Sequence, residues 1–131
     1  MFSQIKTSKE NKEVVAKLSR KLNLGKENTI ARIAFSYSLS LNRKMDLSDI
    51  QDSGGKEYSR SVLFGDNFDI YIALICSHYG IYKKDVNIVK YVKMHVDDGL
   101  EVLNKEYAQN NLDAFNRLID LINSGLEEIK K

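Results

Sequence analysis

Through most of the chain, apolar residues recur at three- and four-residue steps, the period of a helix with one face toward a core. Val14, Val15, Leu18 and Leu22 mark the first stripe. Thr7-Ser8-Lys9-Glu10 precedes it and reads as a capping box, with Thr7 as N-cap and Glu10 three residues on. Asn23-Leu24-Gly25 closes it, since glycine commonly follows a helix end. A second helix is expected over Glu27–Leu41, with Ile30, Ile33, Ala34, Tyr37 and Leu41 on one side and Phe35, Leu39 and Arg32 on the other. Two apolar sides call for two packing partners, one of them a candidate second subunit. Arg32 is expected to snorkel to solvent or meet a carboxylate at that junction.

The periodicity dissolves between Asn42 and Asp66, a long connection of the kind that tends to carry function. Within it, Ser61–Phe64 reads as a short strand or an anchor into the core. A third helix fits Asn67–Tyr79, with Asp66 as N-cap and Gly80 as terminator. Its "FDIYIALIC" is apolar nearly all round and predicts the buried centre of the molecule. A fourth helix begins after Asp85, with Val89, Val92, Val96, Leu100 and Leu103 in register. A fifth, from about Leu112, carries Phe115, Leu118, Ile119, Ile122 and Ile129. The fold class is therefore mainly α: a single compact domain of about five helices, with a short strand at Phe2–Lys6.

Composition narrows the function. The 131 residues, 43% of them hydrophobic, suffice for one core. No apolar run approaches the roughly 20 residues that cross a bilayer, and the start lacks the apolar centre of a secretory signal. One cysteine, Cys76, leaves no internal disulfide and reads as a core thiol. A cytoplasmic protein without membrane contact is expected. The net charge of +2 conceals an asymmetry: residues 1–44 carry 10 Lys/Arg against 3 Asp/Glu. Residues 61–131 carry 8 against 11. A basic end on a nearly neutral protein suits a polyanion, because phosphate attraction is a local-field effect. A lysine-rich solvated face is the competing explanation.

The segment "GGKEYSRSVLFGD" (residues 54–66) invites a nucleotide reading but departs from a P-loop. Its glycines are adjacent rather than separated by four residues, and Glu57 follows Lys56 where Ser or Thr is needed. Lys56 and Arg60 remain able to grip a DNA phosphate, while a simple glycine turn explains the segment equally well. His78 and His95 fall on different helices, and Asp97-Asp98 reads as a solvated acidic edge. No nucleophile–base pair, metal set or cofactor motif emerges. The order strand, helix, turn, helix at the N-terminus parallels ribbon-helix-helix DNA binders. In those dimers, strands pair between subunits and enter the major groove. Phe2 and Ile5 fall on opposite strand faces, so the alternation is imperfect.

Three segments together carry a family resemblance: "TIARIAFSYSLSL" (29–41), "GKEYSRSVLFGDNFDIYIALI" (55–75) and "HVDDGLEVL" (95–103). Arg32-Ile33-Ala34, then Gly55, Glu57, Tyr58, Arg60, Leu63 and Gly65, then His95 and Gly99, resemble in order and spacing the DndE family. DndE is the small E component of bacterial DNA phosphorothioation systems. The resemblance covers about Phe2 to Tyr107 of a single 1–131 domain, with 108–131 as an extra C-terminal helix. It implies a helical, oligomeric accessory protein that binds duplex or nicked DNA. Such proteins are associated with a tetramer and work beside a desulfurase, a reductase-like protein and an ATPase.

The expected function is non-catalytic DNA binding by a homo-oligomer through a basic N-terminal surface, without a cofactor. Lys17, Arg20, Lys21 and Lys26 are the main candidate contacts, followed by Lys6, Lys9, Arg43 and Lys44, with Lys56 and Arg60 from the glycine segment. The alternative is a protein–protein adaptor within the sulfur-modification complex, with no DNA contact. A nickase using Asp97 or Asp98 stands third.

Overall fold

A computed structural model describes residues 4–21 and 26–108. The expected helix beyond Leu112 and the Asn23-Leu24-Gly25 stop lie outside these residues. In chain order the elements are β1 (Gln4–Lys6), α1 (Lys9–Lys21), α2 (Glu27–Ser40), β2 (Glu57–Ser59), α3 (Arg60–Phe64), α4 (Phe68–Tyr79) and α5 (Ile88–Ala108). Single 3-10 turns sit at Leu47–Asp49 and Gly65–Asn67. Among the described residues, no helix is long and apolar enough to cross a membrane.

The packing centre is α2 against α5, not the more hydrophobic α4. In α5, all six residues from Val92 to Asp97 are buried, whereas α4 buries only Tyr71, Ile72 and Ile75. Ala73 of α4 is exposed, and Leu74 and Cys76 are half-buried. The centre goes to the helix whose neighbours satisfy it, even though Lys93, His95 and Asp97 are polar. Gly99 permits the approach. A Cβ there would overlap the Ala34 carbonyl and lie 2.8 Å from Ala34 Cα. The two backbones therefore touch where any side chain would hold them apart.

Both apolar sides of α2 find partners within the chain. Ile30, Ile33 and Ala34 are fully buried, as is Phe35 on the other side. Phe35 meets Phe64 edge-on at 5.0 Å and Tyr71 at 5.9 Å. The second partner foreseen as another subunit is thus supplied by α3 and α4. Arg32 neither snorkels nor pairs with a carboxylate: its Nε donates to the Leu63 carbonyl (2.6 Å) and its guanidinium to the Val62 carbonyl (3.3 Å). It caps the carbonyl end of α3, where helical partners run out. Ser61–Phe64 is the anchor rather than the strand, with Leu63 and Phe64 buried.

The cap of α1 sits one residue later than the sequence pattern suggests. Ser8 Oγ accepts from the Asn11 amide N–H (3.1 Å), and the Asp97 carboxylate from α5 accepts from the Ser8 N–H (3.0 Å). In a capping box the N3 side chain would perform that second task. Thr7 instead serves the loop, accepting from the Lys56 N–H through its hydroxyl (2.9 Å). Asp97 is 1% exposed. It also accepts from Asn11 Nδ2 (2.8 Å) and pairs with buried Lys93 at 2.6 Å. The solvated acidic edge is in fact a buried tie between α1 and α5.

β1 pairs antiparallel with β2 of its own chain, matching Ile5 with Tyr58 and Lys6 with Glu57. The strand–helix–helix order holds, but the first strand's hydrogen-bonded partner is intramolecular. Ile5 and Tyr58 point inward together and are both buried, which fixes this register.

Candidate nucleic-acid interface

Helix α1 buries Asn11, Val15, Leu18 and Ser19, so Lys9, Arg20 and Lys21 stand on the solvent side, with Lys17 half-buried at its edge. Glu10 and Glu13 share that side, and the helix as a whole carries five cations against two carboxylates. Among the described residues, no carboxylate forms an ion pair with Lys9, Lys17, Arg20, Lys21, Lys26 or Lys44. The local pairing of Glu13 with Lys9 or Lys17, plausible from spacing, does not form.

The remaining candidates are engaged internally. Lys6 faces Glu57 across the strands at 3.8 Å. Lys56 meets Glu27 at 3.6 Å. Arg43 binds Asp98 at 2.7 Å. The Arg60 guanidinium lies 4.7 Å above the centre of the Phe68 ring. The Lys56–Glu27 contact brings the glycine segment to the start of α2, next to Lys26. Arg43 and Lys44 follow the other end of that helix, about 20 Å away at 1.5 Å per residue. The ten candidates therefore form no single patch.

The glycine segment spends its backbone donors on the protein. The Gly54 N–H goes to Asp52 (3.0 Å), the Gly55 N–H to the Thr7 carbonyl (3.0 Å) and the Lys56 N–H to the Thr7 hydroxyl. The Lys9 N–H also donates to Asp52 (2.9 Å). These backbone bonds hold the Asp52 carboxyl below its usual range. A Cβ on Gly55 would strike the Ser8 carbonyl and lie 2.8 Å from its carbon. Glycine is needed here for close approach, and no phosphate-facing nest of amides remains.

A polar constellation that sequence reasoning missed lies where α2, α4 and α5 meet. His95 is completely buried. Ser38 Oγ lies 2.8 Å from His95 Nδ1 and 2.7 Å from Asp98 Oδ2. A carboxylate only accepts, so the serine hydroxyl donates to Asp98 and accepts from Nδ1–H of His95. Nε2 is then the bare nitrogen and accepts from the Tyr79 hydroxyl (2.5 Å), whose oxygen accepts from the Met45 N–H (3.0 Å). His78 Nε2–H donates to the Arg43 carbonyl (2.6 Å). The network pins the segment after α2 to the bundle. The one advance signal was a histidine within an apolar stripe, beside a mid-helix glycine.

Burial, reinforced by neighbouring His78, pushes the His95 imidazole down to about 4. Burial also raises the Tyr79 phenol and keeps it protonated as a donor. The unfolded chain thus takes up the His95 proton near pH 6.5 while the folded one does so only near 4. Stability is expected to fall as pH drops through that window, by up to about 3 kcal/mol from this group. Urea titrations at several pH values should show a shallower dependence between 6.5 and 4 in His95→Gln. An unchanged slope would remove His95 from the account. Among the described residues, no three His, Cys, Asp or Glu side chains gather where they could hold a metal ion.

The family model "DNA sulphur modification protein DndE" matches residues 4–111. The chain belongs to the DndE family. Its fold is similar to the crystal structure of DndE from Escherichia coli B7A, described as involved in DNA phosphorothioation modification. The TM-score is 0.64 at 17% identity, covering 79% of this chain and 98% of that one. Comparison with curated proteins gives no match. Of the three DndE-pattern glycines, Gly55 and Gly99 sit where backbones touch, so both have a packing reason to be glycine, while Gly65 has a φ of 58°.

Proposed function

We propose that the chain is a non-catalytic accessory protein of a DNA phosphorothioation system. It binds duplex or nicked DNA as a homo-oligomer, through the basic surface of α1. The observation that carries this is the outer face of α1, where Lys9, Arg20 and Lys21, with Lys17 at the edge, have no ion-pair partner among the described residues. Cations free of internal partners lose least on meeting phosphate and release counterions when they do. Lys26 is likewise exposed and has no ion-pair partner among the described residues; Arg43, Lys56, Lys6 and Arg60 would each give up an internal contact first. DndE membership supplies the DNA context. A non-catalytic role draws support from Ser38 and His95, both buried, which are tied to each other and, through Ser38, to the partly buried Asp98 that Arg43 also holds. Self-association draws support from Tyr82 and Val86, 88% and 84% exposed between α4 and α5.

Changing Lys17, Arg20 and Lys21 to Glu should leave the fold intact, because none is buried. Each lost phosphate contact lowers the log–log salt slope of duplex binding by about 0.9, so the triple variant should lose nearly three units. Fluorescence anisotropy across a salt series checks this. Binding and slope like the parent's would defeat the proposal. The adaptor reading uses the same exposed Tyr82 and Val86. It predicts that the triple variant still retains the system's other proteins in a pull-down and that the parent binds no DNA.

A further inference from the structure

A second basic feature lies apart from the α1 face. A cleft of about 300 Å³ opens between β1, the Ile50–Ser53 segment and the first turn of α5. Lys6, Lys90 and Lys93 line it, together with Ser53 and the apolar Ile50 and Val89, and its described lining holds no carboxylate. Lys93 is spent on Asp97 and supplies wall rather than free charge. Lys90 is exposed and forms no ion pair among the described residues. Lys6 is held by Glu57 only at 3.8 Å, across a solvent-exposed pair worth little to stability. Two long, exposed lysine side chains and a serine hydroxyl on one lining can together meet several oxygens of one anion. The concave, partly apolar wall suits a group that enters rather than a backbone lying across the surface.

We infer that this cleft binds a terminal phosphate monoester, on a DNA strand end or a free mononucleotide, with Lys6 and Lys90 holding the dianion and the sugar against Ile50 and Val89. A terminal phosphate carries nearly two charges near neutral pH where a bridging phosphodiester carries one, which matches two mobile lysines over one oxyanion. The strand-end arm rests on the DNA-binding reading above; the mononucleotide arm does not.

The test compares short duplexes bearing 5′-phosphate or 5′-hydroxyl ends, alongside an NMR titration of the full chain with a deoxynucleoside 5′-monophosphate. The parent should prefer the phosphorylated duplex by about tenfold. Lys90→Gln should abolish that preference while its binding to the hydroxyl-ended duplex is unchanged. The mononucleotide should shift resonances of residues 4–6, Ser53 and Lys90, and fail to do so in Lys90→Gln. No end preference together with no shifts at the cleft overturns the inference, as does a preference or shift that survives Lys90→Gln. Shifts at the cleft without duplex binding would retain the site for free mononucleotides and remove the DNA-binding reading instead.

Discussion

Gly99→Ala is expected to cost on the order of 4 kcal/mol, among the largest single-residue effects in this molecule. The added methyl has no space, since its position coincides with the Ala34 carbonyl of α2. That obstacle is helix backbone, which cannot rotate aside as the tip of a flexible side chain can. Relief requires α2 and α5 to part. Their separation opens contacts among Ile30, Ile33, Val92, Val96 and Leu100, all buried, and interiors this closely packed forfeit attraction at every gap. A domain with 5–15 kcal/mol in hand would lose a large share. Urea denaturation followed by circular dichroism measures it. Gly65→Ala serves as contrast: no atom lies near its would-be Cβ, and its cost arises from a φ of 58° instead. If Gly99→Ala proves no worse than Gly65→Ala, the close approach of the two helices is wrong.

Asp97→Ala is expected to cost about 3–5 kcal/mol, because it strands a buried ammonium. Lys93 loses its partner at 2.6 Å, and the Ser8 N–H and Asn11 Nδ2 lose the acceptor that ties α1 to α5. The double variant Lys93→Met/Asp97→Leu separates these contributions. Replacing both charges with apolar groups removes the stranded-ion penalty but leaves the Ser8 N–H without its acceptor. It should therefore recover most, though not all, of the loss. A double variant less stable than Asp97→Ala would show that the ion pair itself, not its rupture, carries the stability.

Several features were open to reading from the sequence because they depend on local rules. The α2 boundaries, Gly80 as the left-handed end of α4 at φ 65°, and the Val92–Val96–Leu100–Leu103 stripe follow from propensity and period. The ordered set of motifs from Arg32 to Gly99 was enough to suggest the family that the comparison then showed. Hydrophobicity misled on α4, whose apolar "FDIYIALIC" packs to one side. The more polar α5 takes the centre because Ser38, Tyr79, Ser8 and Asn11 satisfy His95 and Asp97 there. The α1 partners of Asp97 lie 86 and 89 positions away along the chain, and no local pattern reveals them.

Charge divided in the same way. Composition by itself determined that the first third of the chain is basic, since a tally needs no coordinates. Only the tertiary structure decided which cations are available, by placing Glu57, Glu27 and Asp98 beside Lys6, Lys56 and Arg43 and leaving the α1 cations without such partners among the described residues. Local sequence specifies helices because their hydrogen bonds close within four residues. Charge partners and buried polar ties close across the whole chain, so the fold alone assigns them.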